Sequence, residues 1–221
     1  MDRPIIDYAA ARNLMVDGQV RPNKVYDARI IAAMRLLPRE RFVPPAMAAR
    51  AYADEDVNLG NGRALIEPMV IARLVQMAAV RAGERALVVA AGTGYGAALL
   101  AACGAQVTAL EDDEALLAIA RPALAGTTGL SLVSGPLAEG WRQGAPYDVV
   151  LVEGAVEELS AAVSAQVRDP GGRLVTVRCA ANGLCHGVLA EPSVGGLSFQ
   201  LVFDCATPKL PAFRRAPGFV F

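Results

Sequence analysis

Two glycines and a downstream acid form the pattern in this chain with the clearest chemistry. In Arg85-Ala86-Leu87-Val88-Val89-Ala90-Ala91-Gly92-Thr93-Gly94-Tyr95-Gly96 an apolar run with β-branched residues enters a turn, and Gly92 and Gly94 let its backbone approach a ligand closely. Residues 97–102 are helix-forming, and Gln106-Val107-Thr108-Ala109-Leu110-Glu111 reads as a second strand closed by an acid. That acid follows the glycines by about 20 residues, the separation at which a dinucleotide site places the carboxylate that receives a ribose hydroxyl. The arrangement predicts an adenosine-type ligand with Glu111 on its ribose. Ala90 stands where a first glycine is expected.

Such a site needs a sheet to hold it. From Arg85 onward the chain alternates strand and helix patterns, as a doubly wound, mainly parallel α/β sheet does. Strands are predicted near residues 86–90, 106–110, 130–133, 147–152 and 173–178, and helices near 96–102, 113–120 and 157–168. After Gly183 two shorter strand patterns, 187–190 and 197–203, are separated by Pro192 and Gly195-Gly196, with no helix long enough for a crossover. They predict a C-terminal antiparallel hairpin at the sheet edge. Residues 8–19, 27–37 and 67–80 carry apolar positions at helical spacing, and Pro68 suits the first turn of the last of these. Residues 1–80 therefore read as an N-terminal helical segment and 81–221 as the α/β core of one compact unit. The stretch 54–63, rich in Asp, Asn and Gly, reads as a surface loop, and the apolar tail 208–221 as a docked end.

In a sheet of this kind ligands lie beyond the carboxyl ends of the strands. The candidates are then residues 90–94, Glu111 with Asp112, residues 134–137 and residues 153–155, with Glu153 reading as a hydrated strand end. The 221 residues are 54% hydrophobic, enough for a sizeable single core. Charge is balanced, 21 basic against 22 acidic residues, and no basic block or aromatic–basic alternation points to nucleic acid. No apolar run is long enough to cross a bilayer, and Met1-Asp2-Arg3-Pro4 lacks signal-peptide form, so a cytoplasmic location is expected. Cys103, Cys179, Cys185 and Cys205 have no metal-pair spacing and are expected as reduced, interior side chains. Cys185 adjoins His186, the sole histidine, but a metal or nucleophile needs further ligands or an orienting partner, and no metal site is expected.

Several ordered blocks resemble the protein-L-isoaspartate O-methyltransferases, enzymes of the S-adenosylmethionine-dependent Rossmann-like class. Met15-Val16 with Gln19-Val20 is similar to the family's Met-Val…Gln-Leu. Pro38-Arg39-Glu40-Arg41-Phe42-Val43-Pro44 is similar to its Pro-Arg-Glu-x-Phe-Val-Pro, and Ala51-Tyr52-Ala53-Asp54 to the segment that follows. Leu59-Gly60-Asn61-Gly62 corresponds to Ile-Gly-x-Gly, and Trp141, Pro146-Tyr147-Asp148 and Pro170-Gly171-Gly172-Arg173-Leu174-Val175 to later blocks. The resemblance covers nearly the whole chain. It implies S-adenosylmethionine as methyl donor and, as acceptor, a peptide or protein carrying an isoaspartyl residue, with a role in protein repair. It places Ala90, Gly92, Gly94, Glu111 and Leu137 along the cofactor and Asn61, Gly62, Arg63 and Glu67 in the substrate loop.

Departures from the family pattern fall where its chemistry would lie. The family's Gln-Thr-Ile-Ser-Gln-Pro is Arg63-Ala64-Leu65-Ile66-Glu67-Pro68 here, so Ile66, itself inert, takes the position of the serine tied to the substrate carboxylate. The turn Glu-Ile-Gly-Thr-Gly-Ser-Gly-Tyr is Val88-Val89-Ala90-Ala91-Gly92-Thr93-Gly94-Tyr95, without the acid and the first glycine. Gly-Asp-Gly, whose aspartate accepts from the adenine amine, is Gly135-Pro136-Leu137. Methyl transfer to an ionised carboxylate needs no general base, so positioning dominates, and loss of an orienting donor slows such a step by roughly 10²–10³. Each lost cofactor contact removes about 1–3 kcal/mol if a polar ligand group is left unpaired. Three readings stay open: a divergent carboxyl methyltransferase, the one these motifs favour as label; a non-catalytic relative that binds a peptide through residues 54–66; and a methyltransferase with a less polar acceptor. Ile66 also reads as a staple for the following helix, and Arg63 and Glu67 either as solvated charges or as holders of an acceptor carboxylate and a cofactor amine.

Overall fold

A computed structural model describes residues 6–215. A seven-stranded sheet is formed by β3 (Arg85–Val89), β4 (Gln106–Glu111), β5 (Leu130–Ser134), β6 (Val149–Val156), β7 (Arg173–Cys179), β8 (Cys185–Ser193) and β9 (Gly196–Asp204), in the order β5-β4-β3-β6-β7-β8-β9. β5 to β7 run parallel to one another across the sheet, and β8 and β9 are antiparallel. This is the doubly wound parallel core with a C-terminal antiparallel hairpin that the pattern predicts. The expected pairing of residues 86–90 with 106–110 is present, in the register Ala86↔Val107 to Val89↔Leu110.

Alternation along the strands sorts side chains between two cores. Ala86, Val88, Val149, Leu151, Val175 and Val177 enter one cluster, and Leu87, Val89, Val150, Val152 and Leu174 the other. The first face is packed by α2 (Ala28–Leu36), α3 (Pro68–Ala78) and α4 (Tyr95–Ala102), all apolar on the side turned inward. The second face is covered more thinly. The helix predicted over 157–168 shortens to the single turn α6 (Ala161–Ser164), capped by the Ser160 hydroxyl on the Val163 N–H at 3.1 Å, and the tail contributes Leu210 and Phe213. Residues 208–215 thus dock as expected, with Leu210 N–H donating to the Ala155 carbonyl at 2.8 Å; residues 216–221 of the expected tail lie outside the described residues.

Aspartates begin three of the helices. Asp7 caps α1 (Tyr8–Met15), Asp27 caps α2, and Asp113 caps α5 (Glu114–Ala123), each accepting from a first-turn N–H at 2.8–2.9 Å. The helix expected over 8–19 is α only to Met15 and continues as a π turn, Val16–Val20. Among the described residues no helix is long and apolar enough to cross a membrane.

Two expectations are corrected by strand pairing. Residues 54–63 do not form a plain surface loop: β1 (Val57–Gly60) pairs antiparallel with β2 (Arg63–Leu65), and Val57, Arg63 and Leu65 turn inward. Cys179 and Cys185 are not free thiols. They face each other in the β7–β8 register and are joined as a disulfide, because antiparallel pairing about the Asn182-Gly183 turn brings their Cα atoms to 4.0 Å. Cys103 and Cys205 are free.

Candidate functional site

The site grows from one register. Val89 of β3 is the partner of Leu110 on one side and Val152 on the other, so the next residues, Glu111 and Glu153, flank the turn that begins at Ala90. The turn thus sits at the carboxyl end of a central strand, between β4 and β6. Its shape is left-handed at Ala90 (φ 61°), Gly92 (φ 59°) and Gly94 (φ 94°). Glycine adopts such angles freely, whereas the alanine methyl makes Ala90 the strained member of the turn. A Cβ at Gly94 would meet the Leu124 side chain, just after α5, at 2.6 Å, so that side chain would have to shift to admit one.

Glu111 is fully buried and its carboxylate is saturated. Oε1 accepts from Arg63 Nη1 at 2.8 Å, from Asp112 N–H at 3.0 Å and from Asp113 N–H at 3.1 Å. Oε2 accepts from Arg63 Nη2 and from Gly92 N–H, both at 2.6 Å. Five donors therefore meet a group with about four lone-pair directions. Arg63, 5% exposed, comes from the start of β2 and makes a two-pronged guanidinium–carboxylate pair of the strong, charge-assisted kind. It is not a solvated charge. Asn61 at the hairpin tip donates to Asp113 at 2.9 Å, and this bond holds the Asp113 carboxyl below its usual range. Burial, with Glu111 beside it, pushes Asp112 up.

Glu153 is also buried rather than an exposed strand end, and its Oε2 has no hydrogen-bond partner among the described residues. Burial raises its pKa to about 8, against the pull of Arg63 and Arg39. Arg39, wholly buried, donates to the carbonyls of Ala51 and Ile66 and lies 4.7 Å over the Tyr95 ring. Its Nη1 and the Tyr95 hydroxyl are also buried without hydrogen-bond partners among the described residues. Ile66 itself is 1% exposed, in the first core with Val70 and Leu74 of α3. Glu67 opens α3 with its backbone N–H on Asp56 Oδ1 at 2.7 Å; burial and the neighbouring Asp54 and Asp56 raise its own carboxyl. Leu137 is buried in the second core, and Gly62 (φ 72°) lies under Pro211 of the tail.

The structure brings Arg63, Glu111, Gly92 and Glu153 together and keeps Glu67 and Ile66 on the α3 side. The Arg39–Tyr95–Glu153 cluster escapes a reading of the sequence, because only topology joins residues so far apart. The pairing of Arg63 with Glu111 had a signal: a charge on the hairpin at a position where the resembling family carries a neutral glutamine.

An open parallel sheet with a glycine turn and a strand-end acid at its centre is the fold of the Rossmann-like methyltransferases, and a solved structure described as protein-L-isoaspartate O-methyltransferase superposes with a TM-score of 0.76. It is 20% identical and covers 91% of this chain, which spans 65% of that longer one. A sequence model of the family Protein-L-isoaspartate(D-aspartate) O-methyltransferase matches residues 11–179. Relatives described as protein-L-isoaspartate O-methyltransferase include one from Methylorubrum extorquens (strain PA1), 42% identical over 78% of this chain and 75% of the relative. Another, from Methylorubrum populi, is 40% identical over 75% and 78%. The chain belongs to the protein-L-isoaspartate O-methyltransferase family.

In the conformation described, the crevice is closed to the family's methyl donor. A ribose needs free oxygens on Glu111, and all are taken. The concave side of the turn is lined by the hairpin, since Arg63 Nη2 and Leu59 Cδ1 each stand 4.0 Å from the position of a Cβ on Gly92. Pro136 offers no side-chain acceptor to an adenine amine.

Proposed function

We propose that this chain is a divergent protein carboxyl methyltransferase of the L-isoaspartate type, with S-adenosylmethionine as donor and isoaspartyl-bearing peptides or proteins as acceptors, working in the cytoplasm in protein repair. What supports the reading most is family membership across residues 11–179 together with the placement of Glu111 beside the glycine turn at the centre of the sheet. The chain's own residues supply the frame for such a reaction: Arg39 ties the Ile66 backbone to the first core, and Asn61, Gly62 and Arg63 carry the hairpin over the crevice. The acceptor carboxylate is already ionised, so the absence of a serine at Ile66 impairs orientation rather than activation. Transfer by the unmodified protein is therefore expected to be slow.

The saturated Glu111 favours one other reading, a non-catalytic relative that kept the fold for binding. Transfer of labelled methyl groups from S-adenosylmethionine to an isoaspartyl peptide, with its aspartyl twin as control, separates the two. Slow, isoaspartyl-selective transfer by the unmodified chain is expected. It should rise by about 10²–10³ when Ala64→Thr, Ile66→Ser and Pro136→Asp are combined with Arg63→Gln, the scale of a restored orienting donor. No transfer by either protein would overturn the methyltransferase reading.

A further inference from the structure

The contact that makes the donor misfit is itself built from this chain's residues. We propose that Arg63 is an internal occupant of the ribose position, and that its pair with Glu111 sets how tightly the protein takes a nucleoside.

Each part of this follows from the geometry. A ribose diol presents two neutral donors to a carboxylate, and the Arg63 guanidinium presents two charged ones to the same two oxygens at 2.8 and 2.6 Å. A charge-assisted fork is the stronger partner, so a diol does not displace it without help from the rest of the ligand. Gly92 N–H, at the bend of the turn, is bound to the same carboxylate and is not free to face a ligand. Arg63 does not act from a free side chain: it is fixed to the β1–β2 hairpin, whose tip is pinned by Asn61 on Asp113 and covered by Pro211. To vacate the ribose position, Arg63 must break both prongs and the hairpin must lift.

Removing Arg63 leaves Glu111 with three backbone donors, from Gly92, Asp112 and Asp113. The carboxylate is then held in place, with Oε1 still occupied by the Asp112 and Asp113 N–H groups and the second lone pair of Oε2 turned toward the vacated space. The affinity of an opened site is thus the intrinsic affinity, and that of the unmodified chain is the same quantity reduced by the fraction of molecules with the hairpin lifted. Arg63 is in this sense the specificity-determining residue for the donor. The inference rests on the methyltransferase reading for the identity of the ligand.

The experiment is calorimetric titration of the full chain, Arg63→Gln and Arg63→Lys with S-adenosylhomocysteine, paired with hydrogen–deuterium exchange over residues 57–65. Arg63→Gln is expected to bind at least tenfold more tightly than the unmodified chain, and Arg63→Lys to fall between them, since lysine keeps the charge but lacks the fork. In the unmodified chain, saturating ligand is expected to speed exchange over residues 57–65, because occupancy requires the hairpin to lift. Equal affinity of the unmodified chain and Arg63→Gln, whether tight or absent in both, would overturn the proposal. So would slower exchange in the hairpin on binding. Should Arg63→Gln fail to melt cooperatively, Arg63→Lys decides: affinity equal to that of the unmodified chain overturns the proposal. The two failures are distinguishable. A gain in affinity with no methyl transfer by any variant keeps Arg63 as occupant and removes the methyltransferase reading; brisk transfer with no gain does the reverse.

Discussion

Glu111 and Glu153 are two buried carboxylates at the same level of the sheet, one on each side of β3, and they live in opposite ways. Glu111 accepts five hydrogen bonds, two of them from a guanidinium. Glu153 has an oxygen with no partner, and burial raises its pKa to about 8. The difference lies in what the neighbouring loops supply. On the β4 side the turn, the start of α5 and the β1–β2 hairpin all aim donors at one point. On the β6 side Arg63 is bound to Glu111, and Arg39 gives Nε and Nη2 to carbonyls while its Nη1 makes no hydrogen bond to Glu153. Burial alone therefore says little about a carboxylate at a strand end; the count of donors around it decides whether it is anchored or left with an unpaired oxygen.

Breaking the saturated side should have the larger effect. Glu111→Ala leaves the buried Arg63 guanidinium with only the longer contact to Asp112 at 3.8 Å and frees three N–H groups, so a loss of about 3–5 kcal/mol is expected in urea unfolding, as for other broken buried pairs. Arg63→Gln should lose less, because Glu111 keeps its backbone donors; equal losses would mean that those bonds contribute nothing.

Glu153 sharpens the comparison through pH. Its native pKa lies above the ordinary carboxylate value of 4.5, so between that value and about pH 8 the folded chain keeps a proton that the unfolded chain has released. Stability from this group is full below that window and falls as pH rises through it, flattening above about 8. Glu153→Gln stays neutral throughout, so its stability relative to the parent should rise by a few kcal/mol from pH 5 to 8 and then level off. A difference that does not change with pH would show that Glu153 is ionised in the folded chain.

Between the two acids, Ala90 holds a left-handed angle with a side chain that resists it. Ala90→Gly should raise the melting free energy by about 1 kcal/mol, the strain of that angle less the extra chain freedom of glycine. A loss of stability would show that the Ala90 methyl packs more favourably than its backbone angle costs.

The sheet and its central turn were legible because burial on both faces leaves apolar runs, and because Gly92 and Gly94 mark the point where the first of them gives way to a helix. The acid at the end of β4 was legible by its distance from the turn. Its occupant was not. Arg63 sits in a stretch whose Asp, Asn and Gly content looks solvated, and the β1–β2 pairing that turns alternate side chains inward is three to four residues long, too short to show as a period. The Asn182-Gly183 turn was a readable hairpin signal, and with it the facing of Cys179 and Cys185, but the strand pattern after it is interrupted by Pro192, which β8 accommodates. The helix expected over 157–168 failed because its apolar positions are satisfied partly by the docked tail, a contact that no local pattern announces.

Arg39 has one more consequence. Its guanidinium binds the carbonyl of Ala51 and that of Ile66 and stacks on Tyr95, so it joins the N-terminal segment, the approach to α3 and the first helix after the glycine turn at a single buried point. A cross-link of that kind couples the melting of everything it touches. Residues 6–80 are then expected to melt with the sheet in one cooperative transition, and the test is whether the calorimetric enthalpy of unfolding equals the van 't Hoff enthalpy.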